Sequence, residues 1–145
     1  MSVFDKQRGM FTAVRAYMQG AFPADDPMIG AMLGTHSTSF SNQTYAVAVS
    51  QGLLALQALD KKLQPSKPLA WLRPSYIASA TIWGEGGCFR EWLPTNSEFQ
   101  LRFTTTGGDK YKIMALGGWS MAKMMGQEYI DGLEAVGAWL DRARG

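Results

Sequence analysis

The length, composition and charge of this chain are those of an ordinary folded protein of modest size. Its 145 residues are near the common size of one domain and are enough to bury a core. A hydrophobic content of 46% with a charged content of 18% excludes a disordered chain. The formal net charge of +2 permits an anionic partner but does not require one.

Three features of the sequence predict a cytoplasmic protein that is not held in a membrane. The single cysteine, Cys88, allows no disulfide within the chain, which fits a reducing compartment. Residues 1–11 show no basic segment followed by an apolar run, so we expect no signal peptide. No stretch approaches about eighteen consecutive apolar residues, so we expect no membrane-spanning helix.

The first 63 residues predict a helical half of the molecule. A variant capping box begins the first helix. Its apolar side chains recur at helical spacing at Phe4, Phe11, Val14 and Met18. Asp26 followed by Pro27 predicts the start of a short second helix, and the Ser- and Thr-rich residues 35–44 predict a loop. Residues 45–63 begin with a strand-like alternation, but their apolar residues recur at helical steps and favour a long helix.

The second half of the chain predicts strands followed by one helix. Residues 64–74 contain three prolines and predict a connector. Residues 75–116 predict four antiparallel strands in a meander, of which the second is residues 88–93. Residues 119–144 predict a long amphipathic helix. Its apolar face comprises Met121, Met125, Tyr129, Leu133, Val136 and Leu140. Segregated helices and strands predict a single α+β domain, residues 1–145, with helices covering one face of a four-stranded antiparallel sheet.

The clearest local signal is a β-hairpin around Gly107 and Gly108. Apolar and polar residues alternate on both sides of this glycine pair, which is typical of two strands joined by a tight turn. The apolar residues that share one face are Phe99, Leu101, Phe103, Tyr111 and Ile113.

The length of the hairpin loop decides which side chains lie opposite each other. A three-residue loop, 106–108, with a glycine in the left-handed conformation places Phe103 opposite Tyr111. A two-residue loop would set Phe103 opposite Lys112 and spoil the apolar face. The three-residue loop is therefore favoured, and it sets Arg102 opposite Lys112 on the outer face. Like charges opposed across strands are unfavourable by a few tenths of a kcal/mol.

The outer face of this predicted sheet is the candidate binding surface. If the turn before the hairpin keeps the same core face, further basic and aromatic side chains join the opposed cations there. The candidate binding residues are Arg90, Trp92, Arg102, Lys110 and Lys112. Such a face suits a protein partner with an acidic surface, with Trp92 as an aromatic anchor. The alternative is an ordinary solvated sheet face, since exposed charges require no partner.

No motif in the sequence indicates a reaction, a cofactor or a metal. Cys88 is the only thiol and His36 the only imidazole, and their spacing matches no catalytic pair. Cys88 is therefore interpreted as a small buried strand residue, and one His with one Cys does not supply a zinc site. The glycine pairs lie at predicted turns without the spacing of a phosphate-binding or dinucleotide-binding loop. We predict no catalytic residue, no metal ligand and no cofactor.

The sequence favours a small non-enzymatic binding protein that docks a protein partner or a second copy of itself. The alternative is a small-molecule-binding or catalytic pocket lined by Trp and Tyr between sheet and helices, since the chain has five tryptophans. Single-stranded nucleic acid is a weaker candidate, because the aromatic signatures of RNA recognition are missing and the net charge is low.

Overall fold

The computed structural model describes residues 3–37, 41–82, 100–115 and 126–144. Within these ranges, two α-helices flank seven β-strands along the chain. The helices are α1, Val3–Ala21, and α2, Gln127–Ala143. The strands are β1, Gly30–Ser37; β2, Asn42–Val49; β3, Leu54–Leu59; β4, Ala70–Leu72; β5, Ile77–Ile82; β6, Gln100–Thr105; and β7, Lys110–Ala115. A short 3₁₀ helix, Pro74–Tyr76, joins β4 to β5.

The described strands form one antiparallel, nearly barrel-shaped sheet of seven strands. Their order across the sheet is β4-β3-β2-β1-β7-β6-β5. Two runs of consecutive strands, β1 to β4 and β5 to β7, join where β1 pairs with β7. The predicted α+β fold with a four-stranded meander is therefore wrong. Three of the strands lie within residues 1–63, where the pattern predicts helices.

Residues 45–63 form two strands and a turn instead of the predicted helix. Every residue of β3 is buried, and a strand covered on both faces loses the alternation of apolar and polar side chains. Gln57 accepts a hydrogen bond from the Tyr17 hydroxyl of α1 at 3.3 Å, which identifies the face that lies under this helix. Ala46 lies opposite Gln57, and Ala48 lies two residues further along the same face. The alanines that complete the helical pattern thus leave room for α1 against the sheet.

Asp26 fastens a turn of the sheet and does not cap a helix. Its carboxylate accepts hydrogen bonds from the Ser50 hydroxyl at 2.8 Å and from the backbone N–H groups of Gln51 at 3.2 Å and Gly52 at 3.3 Å. These residues form the turn between β2 and β3. Strand β1 begins four residues after Asp26, so the predicted short helix is wrong. The ends of β1 and β2 also occupy part of the predicted loop, residues 35–44.

The β6–β7 hairpin has the predicted register. The observed Cα partners include Leu101 with Ile113, Arg102 with Lys112, and Phe103 with Tyr111. The Thr105 N–H donates to the Asp109 carbonyl at 2.8 Å, which leaves a loop of three residues. Gly108 has a φ of 93°, in the left-handed region that favours glycine. Both the predicted loop length and the predicted glycine conformation are therefore confirmed.

Strand β5 lies directly beside β6, with Thr81 opposite Arg102. The predicted meander would place residues 88–93 between these two strands, so this part of the predicted topology is wrong as well. Residues 88–93 lie outside the described ranges. The predicted connector, residues 64–74, contains β4, which pairs with β3.

The two helices lie close to their predicted positions. The predicted first helix is confirmed as α1, with Phe11, Val14 and Met18 buried. Helix α2 begins at Gln127 and not near residue 119, because Gly126 has a φ of 99°, which an α-helix does not accommodate. Of its predicted apolar face, Tyr129, Leu133, Val136 and Leu140 are buried, and Met121 and Met125 lie outside the described ranges.

Both helices pack on the sheet and complete the core. Helix α1 contacts β1 and β2, and α2 contacts β1, β2 and β5. The rings of Phe11 and Tyr129 meet edge to face with their centroids 5.0 Å apart. The Tyr129 hydroxyl donates to the Leu33 carbonyl at 3.0 Å, which joins α2 to β1. Neither of the two described helices has the length and apolar character needed to cross a membrane.

Candidate functional site

Strands β5, β6 and β7 place two rows of polar side chains on one face of the sheet. Residues directly opposite each other on neighbouring strands project to the same side. The first row is Thr81, Arg102 and Lys112, and the second is Ser79, Thr104 and Lys110. We name these residues the basic face. It contains the predicted site residues Arg102, Lys110 and Lys112, whereas Arg90 and Trp92 lie outside the described ranges.

The core fixes the orientation of the basic face. Leu101, Phe103 and Ile113 are at most 2% exposed. Because side chains alternate along a strand, the residues between them point away from the core. Arg102 and Lys112 are accordingly exposed. The apolar residues thus determine where the two cations lie, without any contribution from the cations themselves.

Arg102 and Lys112 are two like charges that lie opposite each other across the hairpin. Among the described residues, neither side chain takes part in an ion pair. Like charges directly opposed across strands destabilise a sheet by a few tenths of a kcal/mol. Asp109, the acidic residue nearest to Lys112 along the chain, lies at the end of the hairpin loop, and Glu98, the one nearest to Arg102, lies outside the described ranges. Within the described part of the chain, the two cations of the basic face are thus exposed and without an ion-pair partner.

A shallow cleft of about 370 Å³ is lined by the basic face. Phe103 and Tyr111 also border the cleft, although their rings, which stack with centroids 5.0 Å apart, belong to the core face of the hairpin. Exposed hydroxyls of Ser79 and Thr81 lie in the same cleft. Hydroxyl and cationic donors that converge in one cleft suit an anion such as a carboxylate.

His36 closes one end of this cleft. Strand β1 pairs with β7 only as far as His36 opposite Ile113. At the next position along β7, Nδ1 of His36 accepts a hydrogen bond from the Lys112 N–H at 3.1 Å and lies 3.2 Å from the Lys112 carbonyl oxygen. The imidazole thus joins β1 to β7 at Lys112, one position beyond the last paired residues. The predicted Ser- and Thr-rich loop at residues 35–44 includes His36, whereas the structure has this residue in β1.

An aromatic cluster surrounds the imidazole of His36. The centroid of the Tyr111 ring lies 5.8 Å from that of His36, and the centroid of the Tyr45 ring lies 6.4 Å from it. Burial raises the pKa of Tyr45 above its ordinary value. Burial also raises the pKa of Tyr111, and the nearby Tyr45 and Asp109 raise it further. In both phenols, burial therefore favours the protonated hydroxyl.

Only two of the five tryptophans lie within the described ranges, so the alternative of a tryptophan-lined pocket stays a prediction. Trp71 packs edge to face on Phe22 with centroids 5.0 Å apart, and Trp139 is 1% exposed in the core. The remaining tryptophans, and Cys88, lie outside the described ranges. Within those ranges, no three His, Cys, Asp or Glu side chains form a group that suits a metal ion.

Ser79 and Thr81 belong to the face, although the sequence did not identify them as site residues. The alternation IASATI carries the signal, because its Ser and Thr share one parity. The pattern could not show that β5 adjoins β6. Only that pairing brings these hydroxyls beside Arg102.

Comparison with known proteins supports the fold and goes no further. No family model and no curated protein matches the sequence. The chain is similar to the crystal structure of the C-terminal domain of an unknown protein from Leishmania infantum, with 9% sequence identity and a TM-score of 0.53. The likeness covers 91% of this chain and 99% of that one. At this identity the likeness shows a shared fold alone.

Proposed function

We propose that this protein is a non-enzymatic binding module that docks an acidic segment of a protein partner on the basic face. The observation that supports this proposal is the opposition of Arg102 and Lys112, both exposed and both without an ion-pair partner among the described residues. The pair adds nothing to the stability of the sheet, so a contribution to binding accounts for its presence better than a contribution to folding.

A carboxylate placed between the two cations would relieve their repulsion and gain two charge-assisted hydrogen bonds. The guanidinium of Arg102 offers a planar donor pair, and the ammonium of Lys112 offers a point charge. Hydroxyls of Ser79 and Thr81 lie beside them as further donors. Exposed charge pairs contribute about 0.2–1 kcal/mol each, so the binding is weak unless several acidic residues engage together. The expected partner is therefore a segment with several carboxylates.

A symmetric dimer through the basic face is disfavoured. An isologous interface places the same patch on both partners. It would bring Arg102 and Lys112 of one copy against the same residues of the other, four cations in one contact. An acidic partner is thus favoured over self-association at this surface.

The proposal is tested by titrating the protein with a fluorescein-labelled Glu-rich peptide and following fluorescence anisotropy. The double variant Arg102→Glu with Lys112→Glu should weaken binding by about tenfold or more, since two attractive contacts become repulsive. The matched control is Lys61→Glu with Lys67→Glu, which changes the net charge equally but lies near the β3–β4 turn, away from the basic face. Both variants should keep their melting temperature within a few degrees, because surface substitutions usually change stability by no more than about 0.5 kcal/mol.

Salt provides a second readout of the same interaction. Binding of the wild type should weaken as the salt concentration rises, because exposed charges are screened over about 10 Å at 0.1 M. Equal weakening in both double variants would mean that only the overall charge matters. Unchanged affinity in the Arg102→Glu, Lys112→Glu variant would mean that the basic face is ordinary solvated surface.

A further inference from the structure

A second concavity, separate from the basic face, lies between α1 and the turn that follows β3. This groove has a volume of about 520 Å³. Met10 and Val14 form its helix side, and Leu59, Leu63 and Pro65 form its turn side. Its volume lies within the range of about 300–1,000 Å³ that small-molecule sites occupy, and such sites are mostly apolar.

Gly9 keeps the helix side of the groove open. It lies in the interior of α1, where glycine is the least favourable residue after proline. No close packing requires it, because a Cβ built at Gly9 has no neighbouring atom within 4 Å. Gly9 lines the groove, so a larger side chain there would occupy open space at the groove's helix side. Glycine at this position therefore lowers the stability of α1 but leaves the groove without a side chain on this part of the helix.

On the turn side of the groove, Leu63 has a backbone conformation that normally favours glycine. Its φ is 60°, the only positive φ of a non-glycine residue in the described ranges. The left-handed region is strained for a residue with a branched side chain. The Leu63 N–H donates to the Asp60 carbonyl at 2.9 Å, and the Asp60 N–H donates to the Gln64 carbonyl at 2.9 Å. The turn is therefore a three-residue loop of the kind that normally carries glycine at this position.

The β6–β7 loop of the same chain shows the unstrained solution. There the Gly108 N–H donates to the Thr105 carbonyl at 3.0 Å, in the place that Leu63 has in the other loop. Residues in sparsely populated conformations are retained mainly at functional sites. The groove is thus lined by two residues that are locally unfavourable. Gly9 lies where a helix favours a larger residue, and Leu63 lies where the loop favours glycine. Together they make it open and apolar.

A hydrogen-bonded network fixes one wall of the groove. The Tyr17 hydroxyl donates to Oε1 of the buried Gln57 at 3.3 Å. Nε2 of Gln57 donates in turn to the carbonyl oxygens of Ala58 at 3.0 Å and Lys67 at 2.6 Å. The Tyr17 ring, 47% exposed, is therefore held at the groove and not left to rotate in solvent.

Lys62 supplies the one charge in the described lining of the groove. Its side chain is exposed, and no carboxylate among the described residues pairs with it. One cation beside an apolar groove complements a ligand with one anionic end and one apolar chain. A dianionic phosphate head would call for more positive charge than the lining offers.

We propose that this groove binds a free single-chain carboxylic amphiphile of the fatty-acid class. The acyl chain lies along α1 between Gly9 and Leu63, and the carboxylate pairs with the Lys62 ammonium. This site is independent of the basic face, so either proposal can fail without the other.

The test uses dansyl-undecanoic acid as the probe and its methyl ester as the neutral match, with dansyl fluorescence as the readout. Wild-type protein should bind the acid saturably and more tightly than the ester. Gly9→Leu fills the groove and should weaken the acid by about tenfold or more. Gly20→Leu is the control on the same helix, because a Cβ there also has no neighbour within 4 Å and Gly20 does not line the groove.

Lys62→Gln separates the charge from the apolar contact. It should weaken the acid by about three- to fivefold, within the range of an exposed charge pair, and leave the ester unchanged. Lys61→Gln, its neighbour outside the lining, should change neither. Leu63→Gly relieves the strained backbone while removing apolar wall, so the protein should keep its melting temperature within a few degrees and yet bind the acid more weakly.

Four results would overturn the proposal. They are the absence of saturable binding to wild type, equal affinity for acid and ester, wild-type affinity in Gly9→Leu, and binding to phosphatidylserine-containing vesicles without binding to the free probe. Should Gly9→Leu fail to fold, the comparison of acid and ester in Lys62→Gln still decides the question.

Discussion

Replacing Gly132 by alanine tests how closely α2 is seated on β1. A Cβ built on Gly132 would overlap the carbonyl oxygen of Ala31 and lie 2.8 Å from the Ala31 carbonyl carbon. The contact is reciprocal, because a Cβ on Gly30 would lie 3.0 Å from the Gly132 Cα and 2.9 Å from the Ala135 Cβ. Helix backbone therefore lies on strand backbone, with no side chain between them.

Two opposing effects determine the expected loss of stability in Gly132→Ala. Alanine favours the helix over glycine by about 1 kcal/mol. The overlap is with backbone that cannot rotate away, so α2 must shift, and overpacking of this kind costs about 1–3 kcal/mol or more. The shift also strains the hydrogen bond from the Tyr129 hydroxyl to the Leu33 carbonyl, at a further cost of about 0.5–1.5 kcal/mol. We expect a net destabilisation of about 0.5–3.5 kcal/mol.

Urea unfolding followed by tryptophan fluorescence measures this free energy, since Trp139 on α2 is buried. The matched control is Gly9→Ala, a glycine inside α1 whose Cβ would meet nothing within 4 Å. It should stabilise the protein by about 0.5–1 kcal/mol through helix propensity alone. Opposite signs for the two substitutions are expected. Stabilisation by Gly132→Ala comparable to that by Gly9→Ala would refute the close seating of α2 on β1.

Two further predictions concern polar groups in the fold. Asp26→Ala should destabilise the protein by about 1.5–3 kcal/mol in urea unfolding, because the Ser50 hydroxyl and two backbone N–H groups lose a charged acceptor. The control is Asp25→Ala, at an exposed position, which should change stability by no more than about 0.5 kcal/mol. A large loss in both would contradict the assigned role of Asp26. Burial raises the pKa of Tyr45 and Tyr111 above the unfolded value, so the folded state retains these protons and its stability falls as the pH rises through and above about 10. Tyr45→Phe with Tyr111→Phe should flatten this fall in unfolding free energy, and an equally steep fall in the variant would show that these tyrosines are not its source.

The sequence predicts elements whose two faces differ and fails for elements whose two faces are alike. The β6–β7 hairpin has one buried and one exposed face, so alternation and the glycine loop specify its register. Strand β3 is buried throughout, and its apolar residues carry no period of two. The short helix predicted at Asp26 is wrong for a different reason. A carboxylate before a proline is typical of a helix start, and the turn that it serves lies 24–26 residues further along the chain.

Sheet order is the part of the fold that local pattern cannot supply. The pairing of β1 with β7 places His36 opposite Ile113, 77 positions further along the chain (113 − 36). Nothing in the sequence of either strand indicates that the two pair. The same limit applies to the basic face, whose β6 and β7 residues follow from the hairpin and whose β5 residues do not.

The hairpin register also bears on the meaning of the two opposed cations. Burial of Leu101, Phe103 and Ile113 requires that positions 102 and 112 face outward, but it does not require any particular side chain there. Many polar residues satisfy the fold at these positions, and a pair of opposite charge would satisfy it better by a few tenths of a kcal/mol. The fold therefore does not determine that these two positions carry Arg102 and Lys112. That freedom makes reversal of both charges the decisive experiment for the basic face, because it changes recognition while the core keeps the register in place.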